Sequence, residues 1–326
     1  MVRRMIIRTA LAASLSALPL WAHAAERPTD TLALQVALDR AGFSPGVIDG
    51  AMGQQTRHAI RGFQEANDLN VTGAFDAETQ AALGELPEAT QTVVVTDADA
   101  AGPFVAEIPE SMAERAKLDG LHYSSIAEAL AEKYHTTPAT LRTLNRGADF
   151  SPSSQITVPA VQPTDLSGEG ASDGWDAMLD KLSVAKVQPS AAKVVVDKSE
   201  RHVRVYDAAG KLIAQFPATI GSEHDPLPLG QWHINGVARL PPFHYSPELF
   251  WDAAAGDKKT RLPPGPNGPV GVVWIDLSKD HYGIHGTPEP QQIGRTESHG
   301  CIRLTNWDAA KLAQMVRSGT PAILED

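Results

Sequence analysis

Cysteine is nearly absent: the 326-residue chain holds one, Cys301, so no intrachain disulfide staples its fold. Basic charge is also short, with 28 Lys and Arg against 39 Asp and Glu and a formal net charge of −11. An acidic chain with no downstream Lys/Arg cluster argues against nucleic acid as a partner. No apolar run reaches the roughly 20 residues that a bilayer core demands, so no stable membrane insertion is expected. What is present is a globular composition, 42% hydrophobic and 21% charged, on a length that suits two or three domains.

The first residues read as an address. Arg3, Arg4 and Arg8 form a basic region, Thr9 to Trp21 a short apolar one, and Ala22-His23-Ala24 a small-x-small cleavage site. Residues 1–24 are therefore expected to be a signal peptide, with the mature chain starting near Ala25 and exported to the periplasm. No Cys follows the cleavage region, which excludes a lipoprotein anchor there. Export sharpens the meaning of the lone thiol. Secreted proteins usually pair their cysteines, and an unpaired one is open to oxidation. A buried inert thiol and a reactive one both stay open at this point.

Residues 30–84 read as a small helical unit. Asp30 is a candidate cap for a helix with Leu34, Leu38 and Ala41 on one face, ended by Gly42. Pro45-Gly46 and Asp49-Gly50 mark turns, Thr56, Ala59, Ile60 and Phe63 define a second helix, and Gly73 with Asp76 introduces a third. The stretch resembles the three-helix peptidoglycan-binding domain through its VIDG turn, its TRHAIRGFQ helix and its VTGAFDAET return. The resemblance implies peptidoglycan as a docking partner.

In residues 108–160, Ser124 is a candidate cap for a helix with Ile126, Leu130 and Tyr134 inward, Pro138 starts another, and Gln155–Val158 reads as a strand. The run IAEALAEKYHTTPATLRTLNRGADFSPSSQITVPAV resembles the latter part of a LysM module, a glycan-binding βααβ fold, without a recognisable opening strand. Glycan binding and a packing or spacer role both stay open. Residues 162–191 are rich in Pro, Ser, Gly and Asp and read as a linker with one short helix.

From Lys193 the pattern turns to β. KVVVD and HVRVYD are strand-like runs, and Ala208-Ala209-Gly210 marks a hairpin. Gln231–Gly236, Val270–Leu277, Tyr282–His285 and Pro321–Leu324 continue the series, with a single helix from about Trp307 to Arg317. The expected fold is multidomain: a three-helix unit, a LysM-like α+β segment, and a catalytic domain over 192–326. That last domain is a mainly antiparallel β sandwich or barrel with one packed helix.

The chemistry gathers near the C-terminus, in His285-Gly286-Thr287 and in Ser298-His299-Gly300-Cys301-Ile302-Arg303. A Cys–His enzyme needs a thiolate, a nearby base and donors for an oxyanion. A free thiol titrates near 8.5 and is expected to be depressed by an imidazolium or by backbone dipoles. His285 at a strand end is a candidate base, and Gly300 beside Cys301 lets backbone approach a substrate carbonyl.

The block YGIHGTPEPQQIGRTESHGCIRLTN resembles the catalytic signature of the L,D-transpeptidases, the YkuD-type fold, and PLPLGQWHI at Pro226–Ile234 resembles that family's approach to the sheet. The resemblance implies Cys301 as nucleophile and His285 as base, oriented by the Gly286 carbonyl. It implies an oxyanion pocket from the amides around His299, Gly300 and Cys301, and a supporting or substrate-contacting role for Ser298 and Arg303. The family reaction makes a thioester with the L-centre of a peptidoglycan tetrapeptide stem, releasing D-Ala. The acyl group then passes to an amine, giving a 3→3 cross-link or protein anchoring to an envelope lipoprotein.

Three alternatives compete with this reading. Water as acceptor makes an L,D-carboxypeptidase, or a hydrolase that releases lipoprotein. Loss of activity leaves a peptidoglycan-binding scaffold, although nucleophile and base are both present. A zinc site from His281, His285, His299 and Cys301 is the third, but these residues form no recognised ligand pair, so no metal and no cofactor is expected. His281, four residues before His285, is a candidate lining residue. His122, His135, His202, His224, His233 and His244 read as ordinary surface or core histidines, and Trp232, Trp251 and Trp274 as core or cleft wall.

Overall fold

The computed structural model describes residues 28–161 and 174–326. The signal-peptide reading of residues 1–24 and the first part of the 162–191 linker lie outside the described residues. Among those described, no helix is long and apolar enough to cross a membrane.

The first unit holds α1 (Pro28–Arg40), α2 (Gln54–Ala66) and α3 (Ala77–Leu83). Pro28 opens α1, so Asp30 sits in its first turn rather than at its cap. Asp76 caps α3 by accepting from the Thr79 amide at 2.9 Å.

A strand β1 (Thr90–Val94) follows, then α4 (Asp97–Ala100), α5 (Met112–Arg115), α6 (Ile126–Lys133), α7 (Pro138–Leu144) and β2 (Gln155–Pro159). The cap of α6 is Ser125, one residue after the expected Ser124, and Thr137 caps α7 ahead of Pro138. β1 pairs antiparallel with β2 from Thr90↔Pro159 to Val94↔Gln155, so two strands flank the α6–α7 pair. β1 lies upstream of residue 108 and is separated from α6 and α7 by α4 and α5. Leu32, Val36 and Ile48 of the first unit share one core with Leu130, Leu141 and Ile156 of the second.

Helix α8 (Trp175–Lys181) falls in the expected linker, yet Trp175, Leu179, Leu182 and Val184 are buried in the core of the last domain. Burying a Trp and two Leu outweighs the loop-like composition around them.

The remaining strands are β3 (Lys193–Asp197), β4 (His202–Tyr206), β5 (Leu212–Pro217), β6 (Thr219–Ile220), β7 (Gly230–Arg239), β8 (Phe243–Tyr245), β9 (Thr260–Leu262), β10 (Val273–Leu277), β11 (Gly283–His285), β12 (Ile302–Arg303) and β13 (Pro321–Glu325); α9 (Asn306–Met315) lies between the last two. Among the described residues nine strands form one sheet in the order β5-β4-β3-β13-β7-β10-β11-β12-β6, and β8 pairs with β9 apart from it. Neighbours are antiparallel except β13·β3 and β11·β12. Helix α9 packs Trp307, Ala310 and Leu312 onto the sheet.

The free edge of β5 is capped by the first unit: the Ser44 amide donates to the Gln215 carbonyl and the Gln215 amide to Gly42, at 2.9 and 3.0 Å. That pairing removes an exposed edge and docks the helical unit on the sheet.

Candidate active site

The parallel pair β11·β12 makes the site. Ile284 lies opposite Ile302 and His285 opposite Arg303. Alternation along a strand then sends Gly283 and His285, and Cys301 and Arg303, to one face of the sheet. Cys301 precedes β12 by one residue, so it sits one strand across from His285 and two residues back, about 6–7 Å along.

His285 is 4% exposed. Its Nδ1 donates to the Gly286 carbonyl at 2.7 Å, which fixes the tautomer and leaves Nε2 with a free lone pair. Trp274, its cross-strand partner on β10, stacks on the ring at 5.5 Å and 20°. Burial, then the Arg303 cation, push the imidazole down to about 3, so the resting base is neutral.

Cys301 is partly exposed, and its Sγ donates to the His281 carbonyl at 3.7 Å. Burial raises the thiol above its ordinary value; the Gly283 backbone and the Arg303 charge pull the other way without reversing the shift. The depressed thiol expected from the sequence is therefore not found. The resting pair is thiol and neutral imidazole, because burial disfavours both charged forms.

The other sequence-derived residues gather on the same loop. Ser298 closes it: its Oγ donates to the Cys301 carbonyl at 2.6 Å and its amide to Gly221 at 3.0 Å. Gly300 has φ +92°, and a Cβ there would lie 2.7 Å from the Tyr282 ring. Among the described residues, the amides of His299, Gly300 and Cys301 have no backbone acceptor, as donors kept for an oxyanion require. His299 Nε2 meets Asp252 Oδ1 at 2.8 Å, and its ring contacts Phe250 and Trp251. Arg303 buries its Nε without a partner. His281 lines the site through its carbonyl; its side chain is exposed and its φ is +66°.

Three residues escape the sequence reading. Tyr282 stands in the quoted block, but its packing on Gly300 needs the fold. Asp252 reaches His299 from a loop 47 residues away in sequence. Asn306 lies beneath His285: its Oδ1 accepts from the Val272 amide at 3.2 Å and would sit 2.1 Å from a Cβ on Gly286.

Residues 191–324 match the family model of the L,D-transpeptidase catalytic domain, and residues 27–83 that of a peptidoglycan binding domain. A protein of Bacillus licheniformis named for L,D-transpeptidase YkuD is 30% identical over 173 residues, spanning 53% of this chain and 87% of that relative. A Fuscovulum blasticum protein, named for an L,D-transpeptidase in the ATP synthase subunits region, is 30% identical over 167 residues, 51% of this chain and 82% of its own. The solved L,D-transpeptidase 3 of Mycobacterium tuberculosis is 19% identical with a TM-score of 0.34, covering 42% of this chain and 62% of that one. The chain belongs to the L,D-transpeptidase family of YkuD type, with a peptidoglycan-binding domain ahead of the catalytic one.

Proposed function

We propose that Cys301 is the nucleophile and His285 the base of a two-step acyl transfer on peptidoglycan stems. The supporting observation is the shared face of Cys301 and His285, with Nδ1 of the imidazole committed to Gly286 and Nε2 left free. Sγ attacks the carbonyl of the L-centre of the third stem residue while its proton passes to Nε2. The carbonyl oxygen takes the charge and rests on the amides of His299, Gly300 and Cys301. The C–N bond to D-Ala breaks, the leaving amine takes the proton from His285, and a thioester remains. An acceptor amine then attacks the thioester, gives a proton to His285, and Cys301 leaves and is reprotonated. Ser298 holds the loop, and the Arg303 guanidinium supports it or meets a substrate carboxylate.

The chain acts on the cell wall, exported to the periplasm by its leader and recruited to peptidoglycan by the 30–84 unit. A stem amine acceptor gives 3→3 cross-links, and a lipoprotein lysine gives anchoring. Intact-mass spectrometry with a tetrapeptide stem or a carbapenem tests the reading. The wild-type chain gains the acyl mass, and Cys301→Ala and His285→Gln lose it while keeping the fold. Undiminished labelling of Cys301→Ala would refute the assignment. Muropeptide analysis of treated sacculi then names the acceptor: 3→3 dimers, bound lipoprotein or tripeptides.

A further inference from the structure

At the seam between the first unit and the catalytic sheet, three metal-ligating side chains from two units meet. His58 comes from α2, His202 opens β4, and Glu200 lies in the turn before it. His58 Nδ1 is 3.4 Å from His202 Nδ1 and 3.3 Å from Glu200 Oε2, and the three ligand atoms lie within 4.8 Å of one another. At 3.4 Å two imidazole nitrogens make a long hydrogen bond, beyond the usual 2.7–3.2 Å range. As zinc ligands they are well spaced. With Zn–N and Zn–O near 2.0–2.1 Å, a tetrahedral angle separates two ligand atoms by about 3.3–3.4 Å. The third edge closes by movement of Glu200, whose side chain is 48% exposed, and the two rings, stacked at 4.7 Å and 27°, turn so that both Nδ1 lone pairs face one ion.

The surroundings suit a cation. Glu65, Asp197 and Glu200 line this cleft against Arg61 and Arg204. Arg204 is already paired with Glu65, and Arg61 lies along Gly73. Metal binding needs neutral imidazoles.

We propose that His58, Glu200 and His202 form a Zn2+ site, with water as fourth ligand, that staples the peptidoglycan-binding unit to the catalytic sheet. The site is separate from Cys301 and requires nothing of the acyl-transfer reading.

The test uses the purified full chain, stripped with chelator and titrated with ZnCl2. Bound metal is counted by mass spectrometry after gel filtration, and Tm is followed in parallel. The expected result is one zinc per chain and a rise in Tm with free zinc, since a ligand held only by the folded state stabilises it. His58→Gln and Glu200→Gln, both tolerable near the surface, each weaken zinc binding at least tenfold. Cys301→Ser retains it, and Co2+ in place of zinc shows tetrahedral d–d absorption without a thiolate charge-transfer band. No bound zinc in the wild-type chain, unchanged affinity in the two Gln variants, or loss in Cys301→Ser would each overturn the proposal.

Discussion

The Asn306 amide donates to the Glu132 carboxylate at 2.9 Å, joining α6 of the second unit to the residue that underlies Gly286. Glu132 also accepts from the Tyr123 hydroxyl at 2.8 Å. The second unit thus reaches the loop that orients the proposed base. Burial first, and Glu128 in addition, push the Glu132 carboxyl up to about 8 despite these hydrogen bonds. An unfolded Glu releases its proton near 4.3. Between these values the folded chain holds a proton that the unfolded one has lost, so stability falls as pH rises through this window, by at most about 1.4 kcal/mol per unit. Glu132→Gln keeps an acceptor for Asn306 and removes the titration. Its urea-derived stability is expected to decline less between pH 5 and pH 8 than that of the wild type. An unaltered slope would mean that Glu132 is ionised in the fold.

Arg303 sets the electrostatics of the pair. Its charge is the second cause, after burial, that depresses His285, and it also opposes the upward shift of the Cys301 thiol. Removing it with Arg303→Gln moves both titrations to higher pH. The acid limb of the acylation rate, where His285 protonates, shifts alkaline, and the limb governed by thiol ionisation shifts the same way. Stopped-time mass spectrometry across pH measures both. A profile that only scales down, with both limbs in place, would show that Arg303 acts on substrate alone.

Gly300 is held by two constraints at once, a φ of +92° and the Tyr282 ring where a Cβ would lie. Gly300→Ala adds a left-handed strain of about 1–2 kcal/mol and displaces the amides flanking Cys301. A displacement of about 1 Å in a catalytic group costs on the order of 10²-fold, so acylation should fall by that much while Tm drops only a few degrees. Gly300→Ala with Tyr282→Ala relieves the clash but not the φ, and is expected to recover part of the rate. Full recovery would show that the backbone conformation is unimportant.

Local signals made the candidate site legible. The strand ending at His285 and the Ser298–Arg303 block are short in sequence, and hairpins such as Ala208-Ala209-Gly210 announce themselves by turn chemistry. What stayed hidden depends on distance along the chain. Glu132 and Asn306 are 174 residues apart, and neither carries a mark of the other. β1 is a polar TQTVV run whose partner lies beyond four helices, so only the pairing makes it a strand. His202 looks ordinary alone and His58 carries no signal of its own, and their meeting follows from the docking of α2 near β5 and β4. The thiol's raised titration stays hidden for a related reason: motif chemistry suggests activation, but burial is a tertiary property.

The three units meet on Asp39. Its carboxylate, 4% exposed, accepts from Lys311 of α9 at 2.6 Å and contacts His135 Nδ1 at 3.0 Å. His135 also reaches the Leu182 carbonyl at 2.7 Å and stacks on Trp307. Burial alone would push the Asp39 carboxyl up, yet Lys311 and His135 together hold it well below the usual carboxylate range. Removing a buried anion leaves its partners desolvated and unpaired, at a cost of about 3–5 kcal/mol. Asp39→Ala is therefore expected to lose that much in denaturant unfolding, and Asp39→Ala with Lys311→Met less than the sum of the two single variants. Because Asp39 and Lys311 belong to different units, the same change should split a single unfolding transition into two. A loss below about 1 kcal/mol, or strict additivity in the double variant, would show that the junction is held by the shared apolar cores alone.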